Sequence, residues 1–158
     1  MTRCDLSLGF VGLGALGLPM AINLHRTGFP LRVHTRSRSA ETSPELEGAI
    51  RCSSPADAST GVDVLLLCVS DDAAVEAVLF GPNGAASQLT AGSVVLDCST
   101  IAPATAQRCA ELLARQTRAS TTWMLPSPVA RKALNAAASR CWWEDPASLW
   151  SGFAPSSR

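Results

Sequence analysis

"LSLGFVGLGALGLPMAINLHRTG" occupies residues 6–28, and its reading decides the fold class. The opening apolar run ends in glycines, as a buried strand entering a tight turn does. "ALGLPMAINLHRTG" (15–28) then places Leu16, Met20, Ile22 and Leu24 at roughly helical spacing and stops at Gly28, a good terminator. Between strand and helix, Gly12, Gly14 and Gly17 stand in G-x-G-x-x-G order. The hexapeptide alone is weak evidence; after a strand and opening a helix it has the context that a dinucleotide-binding turn needs. In that reading Gly12 permits the turn, Gly14 lets the backbone approach a pyrophosphate, and Gly17 lets the helix pack against the strand. The phosphates would sit at the helix N-terminus, where free N–H groups and the helix dipole favour negative charge. A glycine-rich turn holding no ligand is the alternative.

The same alternation continues downstream. "PLRVHT" (30–35) reads as a second strand, "AIRCS" (49–53) as a weaker third, "VDVLLLCV" (62–69) as a continuously apolar fourth and "GSVVLDCS" (92–99) as a fifth. "DDAAVEAVLF" (71–80) starts with two acids and turns apolar at helical spacing. "APATAQRCAELLARQ" (102–116) is a helix with Pro103 in its first turn and Ala106, Cys109, Ala110 and Leu113 on one face. Strand–helix–strand repetition with short connections implies right-handed crossovers and a parallel sheet. The expected fold is α/β, a doubly wound, Rossmann-like parallel sheet. The pattern stops near residue 118.

Composition narrows the function classes. Lys+Arg and Asp+Glu are both 13, so neither nucleic acid nor an anionic membrane is an expected partner. The longest apolar stretch, "VLLLCV" (64–69), is too short to span a bilayer, and Asp5 makes the N-terminus a poor signal peptide. None of Cys4, Cys52, Cys68, Cys98, Cys109 and Cys141 forms a CxxC or pairs with histidine at metal spacing. Reduced thiols in a cytoplasm are expected, with no metal site.

Cofactor choice is read at the end of the second strand, where an enzyme preferring NAD usually carries an acid. Here "HTRSRS" (34–39) offers Thr35, Arg36 and Arg38 instead. A carboxylate would repel a 2′-phosphate, whereas arginine pairs with it. NADP(H) is therefore expected over NAD(H); two solvated surface arginines are the alternative.

Together these segments resemble the β-hydroxyacid dehydrogenase family, which includes 3-hydroxyisobutyrate dehydrogenase and shares its cofactor domain with 6-phosphogluconate dehydrogenase. "GFVGLGALGLPMAINL" is similar to the family's opening signature, with Leu16 where methionine is usual. "VHTRS" is similar to its V-x-N-R-[ST] segment, with Thr35 for asparagine. "CVSDDAAVEAVLFGPNG" resembles the stretch after the fourth strand, with Val69-Ser70 where Leu-Pro is common, and "VVLDCSTIAPATA" resembles V-D-x-S-T-x-x-P-x-x-[AS]. The resemblance covers about residues 6–116.

The resemblance implies roles for particular residues. Gly12, Leu13, Gly14, Ala15 and Leu16 would line the pyrophosphate loop. Arg36, beside Thr35, would meet the adenosine phosphate. Val69 and Ser70 would flank the cofactor, Thr100 would touch the nicotinamide side, and Ser99 would help bind the substrate carboxylate. Independently, "DCST" lies at the carboxyl end of a parallel strand, where open α/β sheets place ligands. Helix N-capping is the alternative for Ser99 and Thr100. The family's catalytic lysine follows a glycine-rich helix motif in a second, helical domain. Lys132 in "RKALN" lacks those glycines and comes too early, so no catalytic residue is expected here.

The last forty residues read differently. "TTWMLPSPVARKALNAAASRCWWEDPASLW" (121–150) holds all four tryptophans and has no clear period. Regrouping its codons from each third base makes Trp123-Met124 yield GAT, aspartate. Trp142-Trp143 yields GTG, valine, and Trp143-Glu144 yields GGA, glycine. The intervening codons permit D-A-P-V-S-G-G-x-E-G-A, which resembles the family's sixth strand. The expected organisation is a cofactor domain at 1–118 and an irregular, out-of-frame tail at 119–158. The sheet would be truncated after the fifth strand and its helix, leaving that strand as an unpaired edge. The family's homo-oligomer would be lost, and the tryptophans would expose apolar surface.

Three functional readings follow. The first is the NADP(H)-binding half of an oxidoreductase acting on a small β-hydroxyacid or semialdehyde, with little or no turnover of its own. The second is a binding module that needs a separate helical partner. The third is a non-functional frameshift product.

Overall fold

The computed structural model describes residues 6–117 and 121–124. Six strands form one parallel sheet in the order β3-β2-β1-β4-β5-β6: β1 Leu8–Val11, β2 Leu31–His34, β3 Ile50–Arg51, β4 Val64–Leu67, β5 Val94–Asp97 and β6 Thr121–Met124. Among the described residues the α-helices are α1 Gly17–Arg26, α2 Pro55–Ser59, α3 Asp72–Phe80 and α4 Pro103–Thr117. The chain starts in the middle of the sheet, builds outward to β3, then crosses back over β1 to β4 and builds the other way. That reversal between β1 and β4 opens a crevice at the carboxyl ends of the strands.

Burial follows the pleat. On one face Leu8, Phe10, Leu31, Val33 and Leu66 pack under α1 with Ala21 and Leu24. On the other, Val11, Leu65, Leu67 and Val95 pack with Ala58 of α2, Val75 and Leu79 of α3, and Cys109 and Leu113 of α4. Alternate residues of each central strand thus feed opposite layers, and β4 reads as an unbroken apolar run because both its faces are covered. The doubly wound α/β expectation is met, and Cys109 and Leu113 are the wholly buried members of the α4 face.

Two features depart from the sequence reading. Helix α2 is not foreshadowed by periodicity, since five residues are too few for a repeat to register. Its start is nonetheless punctuated: Ser54 accepts the Asp57 N–H at 3.1 Å, and Pro55 occupies the first turn. The second departure corrects the expectation that the sheet ends at the fifth strand. Residues 121–124 lie parallel to β5, with Val94 opposite Thr121 and Asp97 opposite Met124. A strand edge is a row of unpaired backbone N–H and C=O groups, and pairing with it makes little demand on side-chain identity. Adjacent threonines favour the extended state. The weak third strand is instead an edge, only two residues long, with Ile50 exposed. Lys132, Cys4, Cys141, Trp142, Trp143 and Trp150 lie outside the described residues.

Among the described residues no helix is long and apolar enough to cross a membrane, and no group of three or more histidine, cysteine or acidic residues could hold a metal ion.

Candidate functional site

The crevice at the strand reversal is a cavity of about 830 Å³. That volume is in the range of small-molecule and cofactor sites. Its floor is the glycine turn. Gly12 N–H donates to the His34 carbonyl at 2.9 Å, so the turn leaves β1 while still tied to β2. Gly12 has φ +101°, and a Cβ there would lie 2.2 Å from the Cys68 carbonyl oxygen. A Cβ on Gly17 would lie 1.9 Å from the Gly12 carbonyl oxygen. Both positions therefore exclude a side chain, and together they press the first turn of α1 onto the end of β1.

Gly14 is different. A Cβ there meets nothing within 4 Å, and its φ is not in the left-handed region. No contact within the protein requires glycine at 14. It lines the cavity, and what its missing side chain leaves is open space beside the helix end. The N-terminus of α1 has no side-chain cap and no acid in its first turn. The other helices do have partners there. Asp71 accepts the Ala74 N–H of α3 at 2.8 Å, Ser54 serves α2, and Asp72 accepts the Ala102 N–H just ahead of α4 at 3.0 Å. An uncapped helix end facing a side-chain-free notch fits a phosphate.

The candidate residues converge on this cavity with one exception. Gly12, Gly14, Ala15, Leu16, Gly17, Thr35, Arg36, Val69, Ser70, Ser99 and Thr100 all line it. Leu13 does not: its side chain is buried in the core under α1. Adjacent loop positions point in opposite directions, and the apolar one is drawn inward.

At the β2 end, Arg36 is exposed and makes no hydrogen bond or ion pair among the described residues. Arg38 is committed to the protein: Nη1 donates to the Cys52 carbonyl at 2.7 Å, and Nε lies 3.2 Å from Glu41 Oε2. His34 and Glu41 were not foreseen. His34 ends β2 on the cavity wall, with Nδ1 3.0 Å from the Cys52 carbonyl. Glu41 is a buried acid behind that wall. The histidine had a readable signal, the last position of a strand. The glutamate had none, because a short 3-10 turn at Ser39–Thr42 folds it back under β2.

At the other end the carboxyl termini of β4 and β5 are tied together. The Val69 N–H donates to Ser99 Oγ at 3.0 Å, and the Ser99 N–H donates to Asp97 Oδ1 at 2.8 Å. Ser99 is thus engaged in holding the two strand ends, while Asp72 provides the acceptor ahead of α4 that the capping alternative assigned to Ser99 and Thr100. Thr100 is exposed. Ser70 Oγ donates to Asp71 Oδ2 at 2.7 Å. That bond, then the Ala74 N–H, with a smaller contribution from Arg36, holds the Asp71 carboxyl below its ordinary value.

Burial sets the chemistry beneath. It raises the Asp97 carboxyl above the usual carboxylate range, against the opposing pull of the Ser99 hydrogen bonds, and Oδ2 of Asp97 has no hydrogen-bond partner among the described residues. It pushes the Cys98 thiol up to about 12, helped by neighbouring Cys68 and Asp97. A thiol so poised is a poor nucleophile near neutral pH. The cavity thus carries an uncapped helix end beside open space at one end, a guanidinium with no hydrogen bond or ion pair among the described residues near it, and a hydroxyl-bearing loop at the other.

Comparison with known proteins agrees with this geometry. The family profile described as the NAD binding domain of 6-phosphogluconate dehydrogenase matches residues 7–140. The chain is 38% identical to the 2-hydroxy-3-oxopropionate reductase of Escherichia coli over 103 residues, which is 65% of this chain and 35% of that protein. It is 36% identical to the L-threonate dehydrogenase of Cupriavidus necator over 136 residues, covering 83% of this chain and 43% of that protein. A crystal structure of 3-hydroxyisobutyrate dehydrogenase from Salmonella typhimurium superposes with a TM-score of 0.67 at 31% identity, over 75% of this chain and 40% of the other. The chain spans well under half the length of these relatives.

Proposed function

This chain belongs to the family of NAD binding domains represented by that of 6-phosphogluconate dehydrogenase, and from that premise we propose that it is the NADP(H)-binding half of an oxidoreductase acting on a small β-hydroxyacid or semialdehyde. One observation carries the nucleotide reading: α1 opens, uncapped, onto the empty space beside Gly14 at the strand reversal. The backbone of Gly12–Gly17 takes the pyrophosphate. Arg36, which makes no hydrogen bond or ion pair among the described residues, takes the adenosine 2′-phosphate, which is the basis for preferring NADP(H) to NAD(H). Val69, Ser70 and Thr100 flank the far end of the nucleotide. Ser99 orients the substrate carboxylate through whatever hydrogen-bonding capacity remains after it accepts from Val69. The nicotinamide, when bound, supplies or accepts a hydride at the substrate carbon.

Fluorescence titration of the full chain with NADPH and NADH tests this. Saturable binding with NADPH tighter is the expected result, and no binding of either nucleotide overturns it. The lysine-bearing helix motif of the family is not in these 158 residues. Turnover of succinic semialdehyde or 3-hydroxyisobutyrate is therefore expected only with a family helical domain supplied in cis or in trans. Turnover by the 158-residue chain alone would contradict that division. A cytoplasmic location, no nucleic-acid or membrane partner, and no family-type oligomer in the 158-residue chain belong to the same proposal.

The tail reading is also proposed: a domain boundary at 118 with residues 119–158 out of frame. The forced Asp, Val and Gly triplets favour it, while the family match running to residue 140 in the present frame opposes it. Nucleotide sequencing across codons 115–123 decides, and one uninterrupted frame would sink it.

A further inference from the structure

Glu41 is an acid at the end of the site where a phosphate-binding pocket should have none. It is 1% exposed, on the 3-10 turn Ser39–Thr42 that follows β2. A carboxylate that deeply buried stays charged only with close partners. Its partners come from the loop it supports. Oε1 accepts the Thr35 N–H at 2.8 Å, Oε2 lies 3.2 Å from Arg38 Nε, and His34 Nδ1 lies 3.7 Å from Oε1. Arg38 is held from its other side by the Cys52 carbonyl at 2.7 Å, with its backbone at φ 62°, a left-handed conformation that costs a non-glycine residue free energy. The surrounding bonds keep it there.

Placement gives these bonds a consequence. His34, Thr35, Arg36 and Arg38 line the cavity, whereas Glu41 does not. The carboxylate stands behind the wall and cannot contact a ligand, yet it compensates one of the two guanidiniums that can. Arg36 makes no hydrogen bond or ion pair among the described residues, and the attraction of Asp71 on it is only a minor one. Asp71, the acid that does act on Arg36, has its carboxylate hydrogen-bonded by Ser70 Oγ and the Ala74 N–H, and Arg36 is the least of the influences on it.

We propose that Glu41 is a positioning residue that sets nucleotide specificity: it neutralises Arg38 and pins the Thr35 amide, so that Arg36 alone presents free positive charge to the nucleotide's adenosine side. The proposal rests on the nucleotide reading of the cavity given above. It makes the preference for a 2′-phosphate moderate, because one of the two arginine charges is cancelled from behind. Removing the acid should therefore sharpen that preference.

The test is titration of the full chain with NADPH and with NADH for wild type, Glu41→Gln, Glu41→Asp, Arg38→Gln and the Glu41→Gln/Arg38→Gln double variant, reading the ratio of the two dissociation constants. Glutamine keeps an acceptor for the Thr35 N–H but drops the charge. Glu41→Gln should raise the preference for NADPH about threefold, the effect of one unit charge acting through a largely solvated path, with a steeper loss of NADPH affinity as salt rises. Arg38→Gln should lower the preference by a similar factor, and the double variant should return close to wild type because the two charge changes cancel. Glu41→Asp should hold the wild-type ratio. A merely structural role would weaken both nucleotides alike and leave the ratio still, and that result overturns the proposal, as does a lower ratio in Glu41→Gln. If Glu41→Gln does not fold, Arg38→Gln decides, an unchanged ratio again overturning it. Wild type binding neither nucleotide overturns the nucleotide reading and this proposal together; wild type binding both, with a ratio indifferent to Glu41 and Arg38, overturns this proposal alone.

Discussion

Replacing Gly14 with alanine separates folding from binding more cleanly than any other change in the turn. A methyl group there meets no protein atom within 4 Å, and the backbone is not left-handed. Folding stability should stay within about 0.5 kcal/mol of wild type, or rise slightly because alanine restricts the unfolded chain. Binding should not survive as well. The methyl group takes the space in which a pyrophosphate approaches the amides of the turn and of α1. Losing two charge-assisted hydrogen bonds at about 1.5 kcal/mol each removes about 3 kcal/mol, or roughly two orders of magnitude in affinity. NADPH titration and urea unfolding of the same preparation measure both quantities. Gly17→Ala is the contrast: its Cβ would lie 1.9 Å from a backbone oxygen, so stability itself should fall by about 1–3 kcal/mol. A folded Gly14→Ala protein that binds NADPH within about twofold of wild type would refute the idea that phosphate rests on this turn.

Other expected outcomes follow from the same geometry. Arg36→Gln should weaken NADPH about tenfold, the worth of one exposed charge-assisted contact of about 1.4 kcal/mol, and leave NADH nearly unchanged in parallel titrations. Asp97 has its carboxyl raised by burial, so the folded protein keeps the proton where the unfolded chain has released it. Its contribution to stability is full below the ordinary carboxylate value of 3.8 and is lost as pH rises through the folded value. The stability of Asp97→Asn relative to wild type should therefore climb from acid toward neutral pH in urea melts, and a difference flat across pH would refute this. Cys98, with its thiol pushed up to about 12, should resist iodoacetamide at pH 8 in the folded protein, as peptide mass mapping would register.

The nucleotide turn was legible because its requirements are local. A positive φ at Gly12 and a helix that starts five residues later are properties of a few adjacent residues, and glycine spacing records them. The strands β1 and β4 were legible for a related reason, since burial on both faces leaves a continuous apolar run, while β2 was legible through Leu31 and Val33 alternating with Arg32 and His34, and β5 through the apolar run Val94–Leu96. Other features depend on partners distant in sequence. Nothing near Asp72 indicates that it serves Ala102, thirty positions on. Nothing near Glu41 indicates burial, and a charged residue in a polar stretch is ordinarily a surface one. Leu13 sits inside a motif associated with the ligand, yet its side chain belongs to the core.

From its sequence alone this protein's fold class, its glycine turn and the basic character of the segment after β2 are determined, because hydrophobic period and glycine placement act over a few residues. Only the tertiary structure decided which of two arginines is committed to the protein, which hydroxyl ties β4 to β5, and that Thr121–Met124 joins the sheet beside β5. Those outcomes depend on backbone and charged groups brought together across long sequence separations. Pairing energies of that kind leave no periodic trace along the chain.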